Sequence, residues 1–341
     1  MTKGQWRQYI KNPIDDFHLT KDDFKFIGHD LYRPECILTK RDGTLWCADS
    51  RGGVQKILPD GTQELISDNK HTGKNQNLLT GTDLPNGLCF AKNGDIYIAN
   101  QGKGCLELMD LNGNRKTILD SFEGKPLGVI NFVLRDKKER LWVSVSTRHK
   151  LVVEVMKPDV ADGYIILIDK DTIRIVADGI ALTNEIRLDK DENYMYISET
   201  FGRRISRMKV SDNGDLHDRE TFGPSDLGPA GFPDGIAFDS YGNLWGTITC
   251  GERIFAITPE GDLRIIFDDR NVEACKKIDE EFFKGTLTQE MIFSGLGSIA
   301  PAIASINFGG RNLDTVYVGS LFETRIPYFT APVAGEPPVW W

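Results

Sequence analysis

Six polar residues stand at a nearly constant distance before six aromatic residues in this sequence. The distance is eleven or twelve residues in every case. The polar residues are Glu35, Asn86, Asn131, Asn184, Asp234 and Ser305, which precede Trp46, Tyr97, Trp142, Tyr196, Trp245 and Tyr317 in that order. Carboxylate and amide oxygens are the ligands that hard divalent cations such as Ca²⁺ and Mg²⁺ prefer in proteins. If the chain brings these side chains together, they could form a metal site.

The same six positions also have an interpretation without a metal. Glu35 and Asp234 would repel each other in a medium of low dielectric constant unless they were protonated or bridged by a cation. A buried polar group without a partner costs on the order of a few kcal/mol, and ordered water can supply such partners. The residue types therefore indicate either a divalent cation or a set of bound waters. The dipeptide Asn86-Gly87 is, in addition, frequent in turns whatever their function.

A sequence repeat of about fifty residues accounts for the constant distance. The six aromatic residues are separated by 51, 45, 54, 49 and 72 positions. Each repeat reads as an apolar strand, a turn rich in Gly, Asp or Asn, and an aromatic-led strand, as in NGLCFAKNGDIYIAN and DGIAFDSYGNLWGTI. Two further strand-like runs separated by a hairpin turn follow the aromatic residue. Six units of four antiparallel strands predict an all-β, six-bladed β-propeller, in which the first strand of each blade lines a central channel.

The long last interval predicts an insertion. It contains DDRNVEACKKIDEEFFKGTLTQEMIFSG, whose charge and spacing indicate a short helical segment near residues 268–295. This segment could be a lid over the channel or a solvated loop without a role. We expect residues 1–341 to form one propeller domain, with residues 1–30 as a closing strand or an N-terminal extension.

Composition and charge exclude several classes of protein. The chain of 341 residues is 40% hydrophobic and 27% charged, with a net charge of −9. An acidic balance argues against a broad nucleic-acid or anionic-membrane interface, since those partners need clustered Lys and Arg. The N-terminus has no apolar segment typical of a signal peptide, and no run of about eighteen apolar residues occurs. We therefore expect a cytoplasmic monomer or homodimer whose partner is a small molecule.

The remaining reactive residues do not form a familiar catalytic motif. Six cysteines and five histidines are scattered along the chain, and no C-x-x-C pair is present. G-x-S-x-G and phosphate-loop patterns are also absent. We expect reduced, mostly buried cysteines and find no support for a histidine-based metal site or a catalytic triad.

At the six polar positions the sequence resembles the regucalcin/gluconolactonase family, which includes senescence marker protein and luciferin-regenerating-enzyme-like proteins. The matching pieces are RPECIL, LPNGLCF, LTNEIRLDKDENYMYISET, GFPDGIAFDSYGNLW and ASINFGGRNLDTVYVGS, which span nearly the whole chain in the right order. The resemblance implies a six-bladed propeller that hydrolyses a lactone with one divalent cation bound in its channel. Ca²⁺ is the expected ion, with Mg²⁺, Mn²⁺, Fe²⁺ or Zn²⁺ as alternatives.

Carried over position by position, the resemblance assigns roles to individual residues. It implies that Glu35, Asn184 and Asp234 are the metal ligands and that Asp234 also acts as the catalytic general base. It implies that Asn131 and Asn86 face the substrate. We also expect Arg33 and Phe132 to take part in binding the substrate.

Two positions depart from the sugar-lactone members of the family. Those members often have Arg two residues before the third-blade asparagine and Asp just after it, where this chain has Val129 and Phe132. The site is therefore expected to be less polar on that side. The predicted function is hydrolysis of a small lactone, either a sugar-acid lactone or a more apolar one, to a hydroxy acid.

Two other functional classes stay open at this point. One is a non-catalytic calcium-binding or interaction propeller, although the G-H and W-D signatures of WD repeats are missing. The other is a different lyase, isomerase or bond-forming activity on the same scaffold, because a fold does not determine its chemistry.

Overall fold

The sequence repeats form six four-stranded antiparallel sheets in the computed structural model. The structure describes residues 11–68, 77 and 79–341. The part of the predicted N-terminal extension before Lys11 lies outside the described residues. The predicted all-β, six-bladed propeller is confirmed.

The first three sheets follow one another along the chain. Blade 1 consists of β2 (Ile37–Thr39), β3 (Leu45–Asp49), β4 (Gly53–Ile57) and β5 (Gln63–Ser67). Blade 2 consists of β6 (Pro85–Phe90), β7 (Ile96–Asn100), β8 (Cys105–Met109) and β9 (Arg115–Leu119). A small hairpin, β10 (Ser121–Phe122) and β11 (Lys125–Pro126), leads to blade 3, which consists of β12 (Val129–Arg135), β13 (Leu141–Thr147), β14 (Gly163–Asp169) and β15 (Thr172–Ile180).

The last three sheets repeat this arrangement, and the sixth is completed from the N-terminal region. Blade 4 consists of β16 (Thr183–Leu188), β17 (Tyr194–Glu199), β18 (Arg204–Val210) and β19 (Leu216–Phe222). Blade 5 consists of β20 (Phe232–Phe238), β21 (Leu244–Thr249), β22 (Arg253–Ile257) and β23 (Leu263–Asp268). Blade 6 consists of β24 (Ile303–Gly309), β25 (Thr315–Ser320), β26 (Ile326–Thr330) and β1 (Lys25–Ile27). Pairing of β1 with β26 joins the two ends of the described chain within one sheet.

The repeated aromatic residues lie on the second strand of each blade and pack between neighbouring blades. Trp245 is fully buried and its ring meets Phe308 of blade 6 edge-on, with ring centroids 5.7 Å apart. Trp46 meets Phe90 of blade 2 in the same way at 5.9 Å. Burial of such large rings is a major source of stability, and it explains why one aromatic residue recurs in every repeat.

The insertion after blade 5 is helical, as predicted. It contains α1 (Val272–Lys284) and α2 (Gln289–Ile292). The Asn271 side chain caps the start of α1 by accepting a hydrogen bond from the Ala274 amide, and Gly285 ends the helix in a left-handed conformation with φ of 71°. We call residues 269–298 the cap. Short 3₁₀ helices occur at Lys21–Asp23 and Val152–Val155.

The buried face of α1 packs on the propeller. Phe282 is fully buried, and its ring centroid lies 5.1 Å from that of Phe232 and 5.5 Å from that of Phe201. Arg203 donates a hydrogen bond of 2.6 Å to Asp279 of α1. The cap is therefore attached to blades 4 and 5 by apolar burial and by an ion pair.

In the part of the chain that the structure describes, no helix combines the length and the apolar character needed to cross a bilayer. All six cysteines are buried and unpaired.

Candidate active site and metal centre

The six polar residues are brought together at one end of the channel, where the inner strands begin. Glu35 lies just before β2, and the others lie on β6, β12, β16, β20 and β24. All six are buried. Five of them line one pocket, namely Glu35, Asn86, Asn131, Asn184 and Asp234. Ser305 is not part of the pocket lining, because its hydroxyl donates to the backbone oxygen of Glu35.

Irregularities in the inner strands aim these side chains into the channel. The pairing register shifts between Pro85 and Leu88, between Thr183 and Ile186, and between Pro233 and Ile236. A bulge interrupts the regular ladder and redirects a side chain. The three irregular segments contain Asn86, Asn184 and Asp234, so each blade presents its polar residue where the regular alternation is broken.

Two of these polar residues are followed by glycine for a steric reason. A Cβ atom at Gly87 would collide with the backbone of Phe132, and one at Gly235 would collide with the backbone of Ser305. Neighbouring inner strands approach each other closely at these points, which only glycine permits. The Asn86-Gly87 dipeptide is thus part of a strand and not a hairpin turn.

Four oxygen atoms in the pocket are buried and have no hydrogen-bond partner within the protein. They are Glu35 Oε2, Asn131 Oδ1, Asn184 Oδ1 and Asp234 Oδ1. Buried polar atoms are almost always satisfied, so four in one pocket indicate a missing partner, either a cation or ordered water. Two carboxylates and two amide oxygens form a donor set suited to a hard divalent cation.

The donor set is unusual in being half amide. In the described residues, no group of three or more His, Cys, Asp and Glu side chains is arranged to hold a metal ion. Among the described residues that line the pocket, only Glu35 and Asp234 are carboxylates, and the other unpartnered oxygens belong to Asn131 and Asn184. The residues therefore fit a cation only if the asparagine oxygens are counted as ligands.

A chain of hydrogen bonds fixes Glu35. Arg33 donates to Asn86 Oδ1 at 2.7 Å, and the Asn86 amide donates to Glu35 Oε1 at 3.2 Å and to the backbone oxygen of Asn131 at 3.1 Å. This arrangement occupies one Glu35 oxygen and leaves Oε2 free. The Asn86 side chain is fully engaged within the protein, although it lies in the pocket wall.

Asn184 is oriented by the neighbouring strands. Its amide donates to Thr200 Oγ1 at 3.1 Å, and that hydroxyl donates to the backbone oxygen of Pro233 at 2.7 Å. Because the nitrogen of the Asn184 amide is held in this way, its oxygen is the atom left without a partner. The same contacts connect Asn184 to the strand that bears Asp234.

Burial makes the charged forms of both carboxylates unfavourable in the metal-free protein. Desolvation raises the pKa of Asp234 well above its usual value, and the nearby charges of Glu35 and Glu185 add to this; Arg33 and the Asn184 amide oppose it. Desolvation likewise raises the pKa of Glu35, against the effects of Arg33 and Asn86. A bound cation would reverse these shifts by favouring the ionised forms.

A second group of polar residues lies next to the six channel residues. It was not predicted from the sequence. Glu185 Oε2 accepts hydrogen bonds from the Ile236 amide at 3.2 Å and from Arg187 at 3.1 Å, and Arg187 also donates to Asn307. Burial raises the pKa of Glu185 to about 7. Regular alternation would turn Glu185 away from Asn184, and only the bulge allows both to approach the channel.

Arg33 and Phe132, the two other predicted binding residues, differ in their position relative to the pocket. Arg33 lines the pocket, with its guanidinium bonded to Pro85 O, Asn86 and Gln101. Phe132 is fully buried behind the pocket, and the Arg187 guanidinium lies 4.8 Å from its ring centroid. Phe132 is not among the residues that line the pocket.

The outer wall of the pocket is apolar. Its side chains come from the loop after β13, from the residues flanking β16 and β17, and from the cap: Val152, Met156, Leu182, Phe201, Ile292 and Phe293. No sequence signal identified these residues, because they lie outside the repeated positions.

The sequence of this chain is similar to a protein family model and to several known proteins. The family model described as SMP-30/Gluconolactonase/LRE-like region matches residues 33–268. The Strictosidine synthase-like 10 protein of Arabidopsis thaliana is 28% identical over 181 residues, covering 50% of this chain and 46% of that protein. Pentonolactonase XacC of Haloferax volcanii is 33% identical over 165 residues, covering 48% of this chain and 46% of that protein. The chain thus spans about half the length of these curated relatives.

Among solved structures, the chain is similar to a calcium-binding protein, regucalcin, from Agrobacterium tumefaciens. The TM-score is 0.65 at 15% identity, and the match covers 92% of this chain and 98% of the other. At this level of identity the likeness shows a common fold.

Proposed function

The chain belongs to the SMP-30/Gluconolactonase/LRE-like family, and from this premise we propose that it is a metal-dependent hydrolase that opens a small lactone to a hydroxy acid. The observation that carries the proposal is the group of four buried oxygens without partners, on Glu35, Asn131, Asn184 and Asp234. The pentonolactonase relative supports lactones as the substrate class.

The proposed metal ligands are Glu35, Asn184 and Asp234. Each contributes one of the unpartnered oxygens. Ca²⁺ is the first candidate, because the donors are all oxygen and the similar regucalcin structure is of a calcium-binding protein. When bound, a divalent cation supplies Lewis-acid polarisation of a carbonyl and stabilises negative charge that develops on its oxygen.

Asp234 is the proposed general base. Its carboxylate accepts a proton from water as the water oxygen attacks the lactone carbonyl carbon. The ring carbon–oxygen bond then breaks, and the leaving alkoxide receives a proton, so that ring opening consumes one water and yields the hydroxy acid.

The other predicted residues assist in binding and positioning. Asn131 lies in the pocket wall, where we propose that it contacts the substrate. Asn86 and Arg33 act mainly by holding Glu35, because their hydrogen bonds connect Arg33, Asn86 and Glu35 in series. Phe132 packs beside Gly87 and the Arg187 guanidinium, outside the pocket lining, and acts on the substrate only through these neighbours.

Metal binding by purified variants tests the ligand assignment. We expect elemental analysis to find about one divalent ion per chain in the wild type, and calcium titration of Glu35→Gln, Asn184→Ala and Asp234→Asn to show weaker binding than the wild type. Asp191→Asn is the matched control, since this exposed carboxylate lies in the turn that follows β16. Equal affinity in the three variants and the control would remove these residues as ligands.

A further inference from the structure

We propose that the substrate is a lactone with an alkyl or aryl substituent, and that a polyhydroxylated sugar lactone is a poor substrate. The inference rests on the proposed lactone hydrolysis and concerns the part of the substrate beyond the reacting ester. It follows from the chemistry of the pocket wall, from the hydrogen bonds of its polar groups and from the position of Leu182.

The pocket wall opposite the six polar residues presents apolar side chains to a bound molecule. Met156, Leu182, Phe201 and Ile292 are largely buried and belong to one apolar cluster that continues beneath the cap. Phe293 packs against the same cluster and meets Phe322 edge-on, with ring centroids 4.9 Å apart. An apolar substituent gains free energy on such a surface, whereas hydroxyl groups lose their hydration there.

Several polar groups of the pocket lining make hydrogen bonds within the protein. Ser146 donates its hydroxyl hydrogen to the backbone oxygen of Thr183 at 2.8 Å. Thr200 both donates to Pro233 O and accepts from Asn184. Arg33 directs its guanidinium to Pro85, Asn86 and Gln101. Apart from Arg33 Nε and the four unpartnered oxygens of the proposed metal site, these described groups offer few free partners, so a substrate with several hydroxyl groups would leave some of them unpaired.

Leu182 is held in the wall at a conformational cost. Its backbone has φ of 57°, in the left-handed region that disfavours a bulky side chain. Its carbonyl accepts a hydrogen bond of 3.0 Å from the Thr200 amide, which ties this conformation to the strand beside Asn184. Leucine here places hydrocarbon two residues before a proposed metal ligand, where asparagine or glycine would be less strained.

The wall is preorganised because the cap is anchored. Asp279 of α1 accepts from both Arg203 and the Ala230 amide, and Phe282 fills the space beneath α1. Thr288 caps α2 by accepting a hydrogen bond from the Met291 amide, which places Ile292 and Phe293 at the pocket. A rigid apolar wall favours a substituent of matching character, because little ordering is needed on binding.

A series of lactones with the same ring size tests the inference on the metal-loaded wild-type protein. The substrates are δ-valerolactone, δ-hexalactone, δ-decalactone and D-glucono-δ-lactone. Their hydrolysis is measured as the release of acid at constant pH. We expect kcat/KM to rise with alkyl length, by up to about threefold to fourfold for each methylene that is buried, and to be lowest for the glucono-lactone. Faster opening of the glucono-lactone would overturn this inference and leave lactone hydrolysis intact. If no lactone is opened, the proposed function fails and the inference fails with it.

Variants of the wall give a second test. We expect Phe293→Ala to lower kcat/KM for δ-decalactone about tenfold, mainly through KM, with a smaller loss for δ-valerolactone. Leu182→Asn should reduce the difference in kcat/KM between δ-decalactone and the glucono-lactone. Asparagine adds hydrogen-bonding groups to the wall and tolerates the left-handed backbone. The control is Leu111→Ala, an exposed side chain in the turn between β8 and β9, outside the pocket lining. An unchanged preference in both wall variants would contradict the inference.

Discussion

At the scale of single residues, the site depends on which oxygen of each side chain is already occupied. Asn86 holds one oxygen of Glu35, and Thr200 holds the amide nitrogen of Asn184. In both cases the remaining oxygen is buried and has no partner. The protein thus presents these oxygens in fixed directions before any cation binds, which reduces the ordering that binding requires.

The positioning role of Asn86 leads to a prediction about metal affinity. In Asn86→Ala the hydrogen bonds to Glu35 and from Arg33 are lost, so Glu35 is no longer oriented. We expect calcium affinity to fall about 10-fold to 100-fold, as for other residues that orient metal ligands. Isothermal titration of the metal-free protein measures this effect.

The control for this measurement is Asn93→Ala, in the exposed turn after β6, where the side chain bonds to Asp95. It should bind calcium like the wild type. Wild-type affinity in Asn86→Ala would show that Glu35 needs no such support.

The sequence was sufficient to predict the polar residues that recur in every repeat, including Asn184 and Asp234, which a bulge presents, but not Glu185, which has no acidic counterpart in the other repeats. Glu35, Asn184 and Asp234 stand at equivalent repeat positions, so their convergence followed from the propeller itself. Glu185 and Arg187 were not predicted, because the regular alternation of a strand gives no reason to place Glu185 beside Asn184. The hydrogen bonds that commit Asn86 to Glu35 also depend on distances between blades, which spacing along the chain does not supply.

At the scale of secondary-structure elements, a buried glutamate joins blade 5 to the segment that leads from the cap into blade 6. Glu252 lies between β21 and β22, and its Oε1 accepts a hydrogen bond of 3.0 Å from the Ala302 amide. Burial raises the pKa of Glu252 to about 8, although backbone amides of Ala302, Ile303 and Gly297 favour the ionised form. The segment that follows the cap is therefore tied to a group that holds its proton near neutral pH.

This raised pKa predicts a pH-dependent contribution to stability. Between about pH 5 and pH 8 the folded protein retains a proton that the unfolded chain has released, so the free energy of unfolding falls as pH rises through this range. Glu252→Gln removes the titration, and we expect a shallower fall than in the wild type. Denaturant unfolding at several pH values, in the presence of chelator, measures the slope.

Glu273→Gln serves as the control, because this carboxylate is largely exposed in the first turn of α1. Its unfolding should follow the wild-type pH dependence. Equal slopes for Glu252→Gln and the wild type would contradict the contribution assigned to Glu252.

The position of the helical insertion could be predicted from the interval of 72 residues, but its role in the pocket could not. The charged and apolar residues of 268–295 indicated a helix. Whether the segment lies over the channel depends on contacts such as Phe282 with Phe232 and Asp279 with Arg203. These pairs are distant in the sequence and belong to no repeated pattern, so the apolar wall formed by Ile292 and Phe293 became apparent only in the structure.

At the scale of the whole molecule, circular closure concentrates the chemistry. Each blade contributes one or two polar residues to the channel, and the pairing of β1 with β26 joins the first described strand to the last. Radial repetition places six strand beginnings around one axis, which lets residues as distant as Glu35 and Asp234 share a site. That convergence brings two carboxyl groups together in a buried channel, where the proposed divalent cation would offset their repulsion.

The measurement that tests this account most directly is lactone hydrolysis before and after removal of the metal. Acid release is followed at constant pH for the purified wild type, for the same protein after exhaustive chelation, after restoration of Ca²⁺ and each alternative ion, and for Asp234→Asn. We predict turnover in the metal-loaded wild type, loss of at least 100-fold on chelation (about 2.7 kcal/mol in the barrier), recovery with one of the ions, and no recovery in Asp234→Asn. Undiminished turnover after complete removal of the metal, or full turnover by Asp234→Asn, would contradict the account.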